Sequence, residues 1–112
     1  MPANEPETVI CRFQVRADAE QPFRALLRVH WPTLRRLGLV TEDPPQHYRA
    51  VDEQGRPVYV EIFTWRDGRA AQEAHEHPEV AAVWEPMAPL VEEREGRRKW
   101  EFPHYRRLDL SA

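Results

Sequence analysis

Apolar and polar residues alternate along some stretches of this chain and recur at three- and four-residue spacing along others. Over residues 8–17, Val9, Cys11, Phe13 and Val15 fall on one side, with Arg12, Gln14 and Arg16 on the other. That period of two predicts a strand. Asp18 is placed to cap a helix, with Gln21 three residues later in the capping-box position. The helix is expected over 19–37, because Phe23, Leu26, Leu27, His30, Trp31, Leu34 and Leu37 form one face. Pro32 lies inside it and predicts a kink or interruption of the last turns. Gly38 suits the C-terminal cap.

An extended connection over 39–46 carries Asp43, Pro44 and Pro45. Residues 47–52 then read as a strand, 53–56 as a hairpin turn and 57–65 as its partner strand. Asp67 is placed to cap a second helix starting near Gly68. His77 precedes a proline and is pushed out of helical geometry, so this helix should break there and restart with Pro78 in its first turn. Pro86 and Pro89 predict a second restart. Residues 99–108 close the chain as a fourth strand, with Pro103 at an edge or a bulge.

The order βαββαβ predicts an α+β, ferredoxin-like domain: a four-stranded antiparallel sheet with two helices on one face. Residues 1–7 are expected to be a flexible arm and 8–112 a single domain. In the third strand Val58, Val60, Ile62 and Thr64 share one face and Tyr59, Glu61, Phe63 and Trp65 the other. Both rows are largely apolar, which one solvated face would not produce. A second subunit laid against the outer face resolves this, so a homodimer is expected.

The chain has 112 residues, 41% of them hydrophobic, which fits one domain with a small core. A net charge of −3 gives no electrostatic reason to expect nucleic acid or an anionic membrane as partner. The N-terminal residues lack a signal-peptide pattern, and no window has the roughly 18 apolar residues of a membrane span. A cytoplasmic protein is expected. Cys11 is the sole cysteine and falls in an apolar strand pattern, which predicts a buried, inert thiol.

The third strand ends in Trp65-Arg66-Asp67, and the next helix carries Ala70-Ala71, Ala74-His75 and His77-Pro78. This arrangement resembles the strand-3/helix-2 signature of the antibiotic-biosynthesis-monooxygenase-like dimeric α+β barrels. The resemblance implies that fold and a dimer, with Trp65 bordering a cavity between sheet and helices that receives an aromatic substrate in some members. It also implies a cofactor-independent, monooxygenase-like oxidoreductase acting on a small aromatic or apolar substrate, with no tightly bound cofactor. Two branches can be tested by residue. The haem-degrading members use an Asn on strand 1 and a haem-ligating His late in helix 2; here strand 1 has no Asn, and Trp84 and Glu85 fall where that His would be. The quinone-forming members use polar groups in the cavity, whereas the opening turn of helix 2 here offers only Gly68, Arg69, Ala70 and Ala71.

Within that frame the candidate catalytic residues are His75 and His30, and the candidate substrate-binding residues Trp65, Trp31 and Trp84. Each also has a plainer reading as a packed core aromatic or a hydrogen-bonded structural histidine. His75 and His77 lie about 200° apart on a continuous helix and cannot share one ion, so no metal is expected. His47 and His104 lie in predicted strands without an evident partner. With no paired carboxylates or activated nucleophile in view, a non-catalytic barrel that binds a small ligand or plays a structural part is the alternative.

Overall fold

The computed structural model describes residues 4–111. Strand β1 (Glu7–Gln14) lies at the centre of the antiparallel sheet. It pairs on one side with β3 (Pro57–Trp65), which in turn pairs with β2 (Gln46–Val51). On its other side run two dipeptide strands, β4 (Trp100–Glu101) and β5 (His104–Tyr105). Helices α1 (Glu20–Arg36), α2 (Ala70–His75) and α3 (Pro78–Met87) bury their apolar sides in a shared core with one face of the sheet. This is the expected α+β, ferredoxin-like architecture. Among the described residues no helix is long and apolar enough to cross a membrane.

The register explains which side chains meet. Val9 lies opposite Phe63, Cys11 opposite Glu61 and Phe13 opposite Tyr59, so the alternating rows of β1 and β3 share the helix-covered face. Phe23, Leu27, His30 and Leu34 of α1 are buried with them. On the opposite face Ile10, Val60 and Ile62 are half-buried, and Tyr48 is exposed.

Several local details differ from the sequence expectation. Asp18 does not cap α1; it pairs with Arg16, and a 3-10 turn (Ala17–Ala19) leads into a helix that begins at Glu20. Pro32 does not interrupt α1, which continues to Arg36. Proline forfeits one bond to the carbonyl four residues back, here that of exposed Arg28, where water can replace it. Gly38, with φ +75°, donates to the Arg35 carbonyl, and Leu39 donates to that of Leu34; together these bonds make a Schellman end.

The break at Pro78 falls where expected. The His77 ring accepts from the Glu79 amide as N-cap and Pro78 opens α3. Asp67 accepts from the amides of Arg69 and Ala70 in the turn that leads into α2, but the helix starts at Ala70 with Arg69 as its N-cap rather than Asp67. Pro86 is absorbed inside α3, and only Pro89 takes part in a restart, in the 3-10 turn Ala88–Leu90. The closing strand is split at Phe102 and Pro103, since Pro103 has no amide for the ladder; its carbonyl accepts from Ile10 instead.

One side chain ties the ends of the sheet together. Arg94 is buried, and its guanidinium donates to the carbonyls of Val15 and Pro57 and to the carboxylates of Asp52 and Glu92. It fastens the segment after α3 to the hairpin and to the end of β1.

Candidate functional site: an aromatic cavity backed by a buried carboxylate

A cavity of about 220 Å³ lies between the sheet and the helices. Its floor is Val9, Cys11, Phe13, Phe63 and Trp65 of β1 and β3, and helices α1 to α3 contribute His30, Ala71, His75, Trp84 and Met87. Trp100, Phe102 and His104 of the closing segment complete it. The wall is thus almost wholly apolar and aromatic. Trp65 packs edge-on against Phe63 at 5.0 Å, and its indole N–H has no acceptor among the described residues.

Four of the five candidate residues meet here: His30, His75, Trp65 and Trp84 all line the cavity. Trp31 does not; the Arg35 guanidinium lies 5.9 Å from the centre of its ring instead. His75 is exposed, touches Trp84 edge-on at 4.8 Å, and makes no hydrogen bond among the described residues. Its ring nitrogens are open to a ligand or to water.

His30 is held at both nitrogens. Its Nδ1–H donates to Glu61 Oε1 at 2.7 Å, and its Nε2 accepts from the indole N–H of Trp84 at 2.8 Å. An indole nitrogen can only donate, so the proton of His30 must sit on Nδ1. Glu61 is fully buried. Its second oxygen accepts from Nε2–H of His47 at 2.7 Å, and His47 is its cross-strand register partner on β2. The side chain of His47 is 43% exposed and borders a second, shallower depression lined by Arg24, Arg28 and Arg49. The buried carboxylate therefore joins a histidine on the cavity wall to one at the surface.

The electrostatics follow. Burial alone would raise the Glu61 carboxyl, but the hydrogen bonds from His30 and His47 outweigh it and hold it below its ordinary range. The bond to Glu61 raises His47, against a smaller opposing effect of burial. Burial first, and the Glu61 charge second, push the Cys11 thiol well above its usual value. Cys11 is thus the inert thiol expected of it, although it lines the cavity. Among the described residues no group of three or more His, Cys, Asp or Glu side chains is placed to hold a metal ion.

Sequence reasoning missed Glu61 and the partners of His47 and His104. The available signal was a lone carboxylate in the otherwise apolar row Tyr59, Phe63 and Trp65. His104 also finds a carboxylate, since its Nδ1 lies 3.0 Å from Glu7 Oε1.

Solved structures with the same fold exist. Rv0793 from Mycobacterium tuberculosis is 23% identical, with 96% of this chain and 100% of that one aligned at a TM-score of 0.64. A variant of SnoaB, a cofactor-independent oxygenase from Streptomyces nogalater, is 18% identical over 96% and 98% of the chains, with a TM-score of 0.66. A proposed antibiotic biosynthesis monooxygenase from Nitrosomonas europaea is 12% identical over 97% and 96%, with a TM-score of 0.69. No protein-family model matches the sequence, and no curated protein does. The chain therefore has the ferredoxin-like fold of the antibiotic-biosynthesis-monooxygenase-like proteins.

Proposed function

We propose that this protein is a monooxygenase-like enzyme that takes a compact aromatic or apolar molecule into the cavity and oxidises it with oxygen, without a tightly bound cofactor. The observation that carries this reading is the enclosed aromatic cavity with His30 and His75 on its wall. Its volume, about 220 Å³, suits a ligand of one or two rings; a dry apolar cavity of about 150 Å³ already accommodates benzene. Trp65 and Trp84 supply flat apolar contact. His75, at the rim with no hydrogen bond among the described residues, is the group to exchange a proton with a phenolic substrate. SnoaB, of the same fold, is a cofactor-independent oxygenase.

A second reading is favoured by the hydrogen bonds of His30. Both of its nitrogens are engaged, so the enclosed part of the cavity presents no free base while Trp84 stays in place. On that reading the protein binds a small ligand without transforming it. Saturable tryptophan quenching by one- and two-ring phenols and hydroquinones, lost or weakened in Trp65→Phe, tests for the site. Oxygen uptake with the ligands that bind separates the readings: uptake supports the enzyme, and binding without uptake supports the binder. Absence of saturable quenching by all of them removes both.

The proposal includes a cytoplasmic homodimer formed through the outer sheet face. Ile10, Val60 and Ile62 present half-buried aliphatic surface there, with Tyr48 beside them. Such a row gains from being covered.

A further inference from the structure

Glu61 is the feature of this molecule that the cavity alone does not explain. A fully buried carboxylate on an apolar strand face carries a large desolvation penalty, and packed hydrophobic residues would often serve stability as well or better. It is retained with both oxygens occupied, by one histidine at the cavity and one at the surface.

We propose that Glu61 and His47 act as positioning residues that make His30 a base toward an acidic O–H group of the cavity ligand, with His47 returning a proton to water as His30 takes one up. The inference rests on the cavity being a ligand site, as argued above, and adds to that reading the residues that carry the ligand's proton away.

One buried carboxylate readily accommodates one imidazolium. At rest the Trp84 donor keeps Nε2 of His30 unprotonated, so the positive partner of Glu61 is His47. When a ligand hydroxyl displaces the Trp84 indole, its O–H lies against Nε2 of His30. The ligand O–H bond then breaks and an N–H bond forms on Nε2, with Nδ1–H still donating to Glu61. His47 releases the proton on Nδ1, which has no protein partner among the described residues, and keeps Nε2–H on Glu61. The cluster begins and ends with one carboxylate and one imidazolium. No electrons move; the ligand's proton is in effect passed to solvent by way of His47, and the ligand anion left in the cavity faces the His30 imidazolium.

The surroundings suit this exchange. Facing Glu61 are His30 from α1, His47 from β2 and the Cys11 thiol from β1, whose proton is held tightly. Arg24, Arg28 and Arg49 line the depression with His47. Arg49 is paired with Glu20, while Arg24 donates to the Tyr59 hydroxyl. These cations favour release from His47, and Glu61 opposes them, so the site can be brought to either state.

The test uses the full chain and para-nitrophenol, whose phenolate absorbs visibly and whose phenol does not. At a pH where most of the free probe is still phenol, wild type should bind it saturably and enrich the phenolate form. In His47→Gln, which keeps a donor for Glu61 at a half-exposed position but cannot release a proton, binding should persist. In wild type a pH-indicator dye should record about one proton released to solvent per phenol bound as phenolate, and in His47→Gln almost none, because His30 then keeps the ligand's proton beside Glu61. Glu61→Gln should lose the phenolate enrichment; His47→Gln carries the test should that buried change prevent folding. Equal proton release in wild type and His47→Gln overturns the proposal and leaves the cavity reading intact, as does binding without enrichment in wild type. Absence of saturable binding to wild type overturns the cavity reading and this proposal with it.

Discussion

Trp84 hydrogen-bonds His30 from the cavity side, indole N–H to imidazole Nε2 at 2.8 Å, and so a buried base is present but covered. The relationship is directional, because only the histidine can accept. Trp84→Phe retains an aromatic wall and deletes the donor. It should cost about 1 kcal/mol in stability for the lost hydrogen bond. Nitrogen NMR of His30 should change from a single Nδ1–H tautomer to a form that responds to bound phenols. A His30 spectrum unchanged by the substitution would contradict the arrangement.

Glu61 should be the costliest single polar side chain to alter on β3. Glu61→Leu strands the Nδ1–H of buried His30 and should destabilise by about 3–5 kcal/mol in urea unfolding. The double variant Glu61→Leu with His30→Leu should lose less than the sum of the two single losses, since each already removes the shared bond. Strict additivity would show that the two side chains are not coupled.

The same cluster sets a pH window. His47 is raised above its ordinary 6.5, so its contribution is full below that value and is lost as pH rises through the folded value. Glu61 is lowered from 4.5, so its contribution is full above that value and is lost as pH falls through the folded value. The cluster therefore stabilises the fold most between about 4.5 and 6.5. His47 is well exposed, and solvent screening should hold its share below about 1 kcal/mol. Urea midpoints against pH should show both limbs in wild type, and His47→Gln should flatten the alkaline one.

Arg94 should act as a structural fastener. Arg94→Met leaves the carbonyls of Val15 and Pro57 without their donor and should cost about 3–5 kcal/mol in chemical denaturation. Arg94→Lys should recover only part of this, since one ammonium cannot reproduce the planar fork.

On the outer sheet face, Ile62→Glu should separate the proposed dimer. Light scattering is expected to give about twice 13.3 kDa for wild type and 13.3 kDa for the variant. A wild-type mass of 13.3 kDa at micromolar concentration would dismiss the dimer.

What could be read from the sequence was local. The alternation in β1 and β3, the stripe of α1 and the His77-Pro78 break each depend on a few neighbouring residues, and the structure reproduces them with shifts of a few residues. Helix 1 was the instructive exception at both ends. Asp18 has the right chemistry for a cap but is drawn to Arg16, and Pro32 is tolerated because the bond it forfeits faces water. The lining of the cavity was legible in part, since His30, His75, Trp65 and Trp84 all border it. Trp31, one position beyond His30, turns away from it because adjacent helical residues differ by about 100°. The Glu61 cluster depends on a cross-strand register and on a helix packing over it, and neither is written in any short stretch of chain. Arg94, whose most distant acceptor lies 79 positions away, was hidden for the same reason.

The split closing strand bears on how such a protein can diversify. Trp100, Phe102 and His104 form one side of the cavity, yet the segment that carries them is held to β1 by two dipeptide pairings, a few backbone bonds and side-chain contacts such as His104 with Glu7 and Phe102 with Phe13. The opposite walls belong to the core and to the Glu61 cluster and cannot vary without unfolding costs. A lineage built on this plan could exchange Trp100, Phe102 and His104 and reshape the cavity, while its folding and its Glu61 cluster stayed as they were.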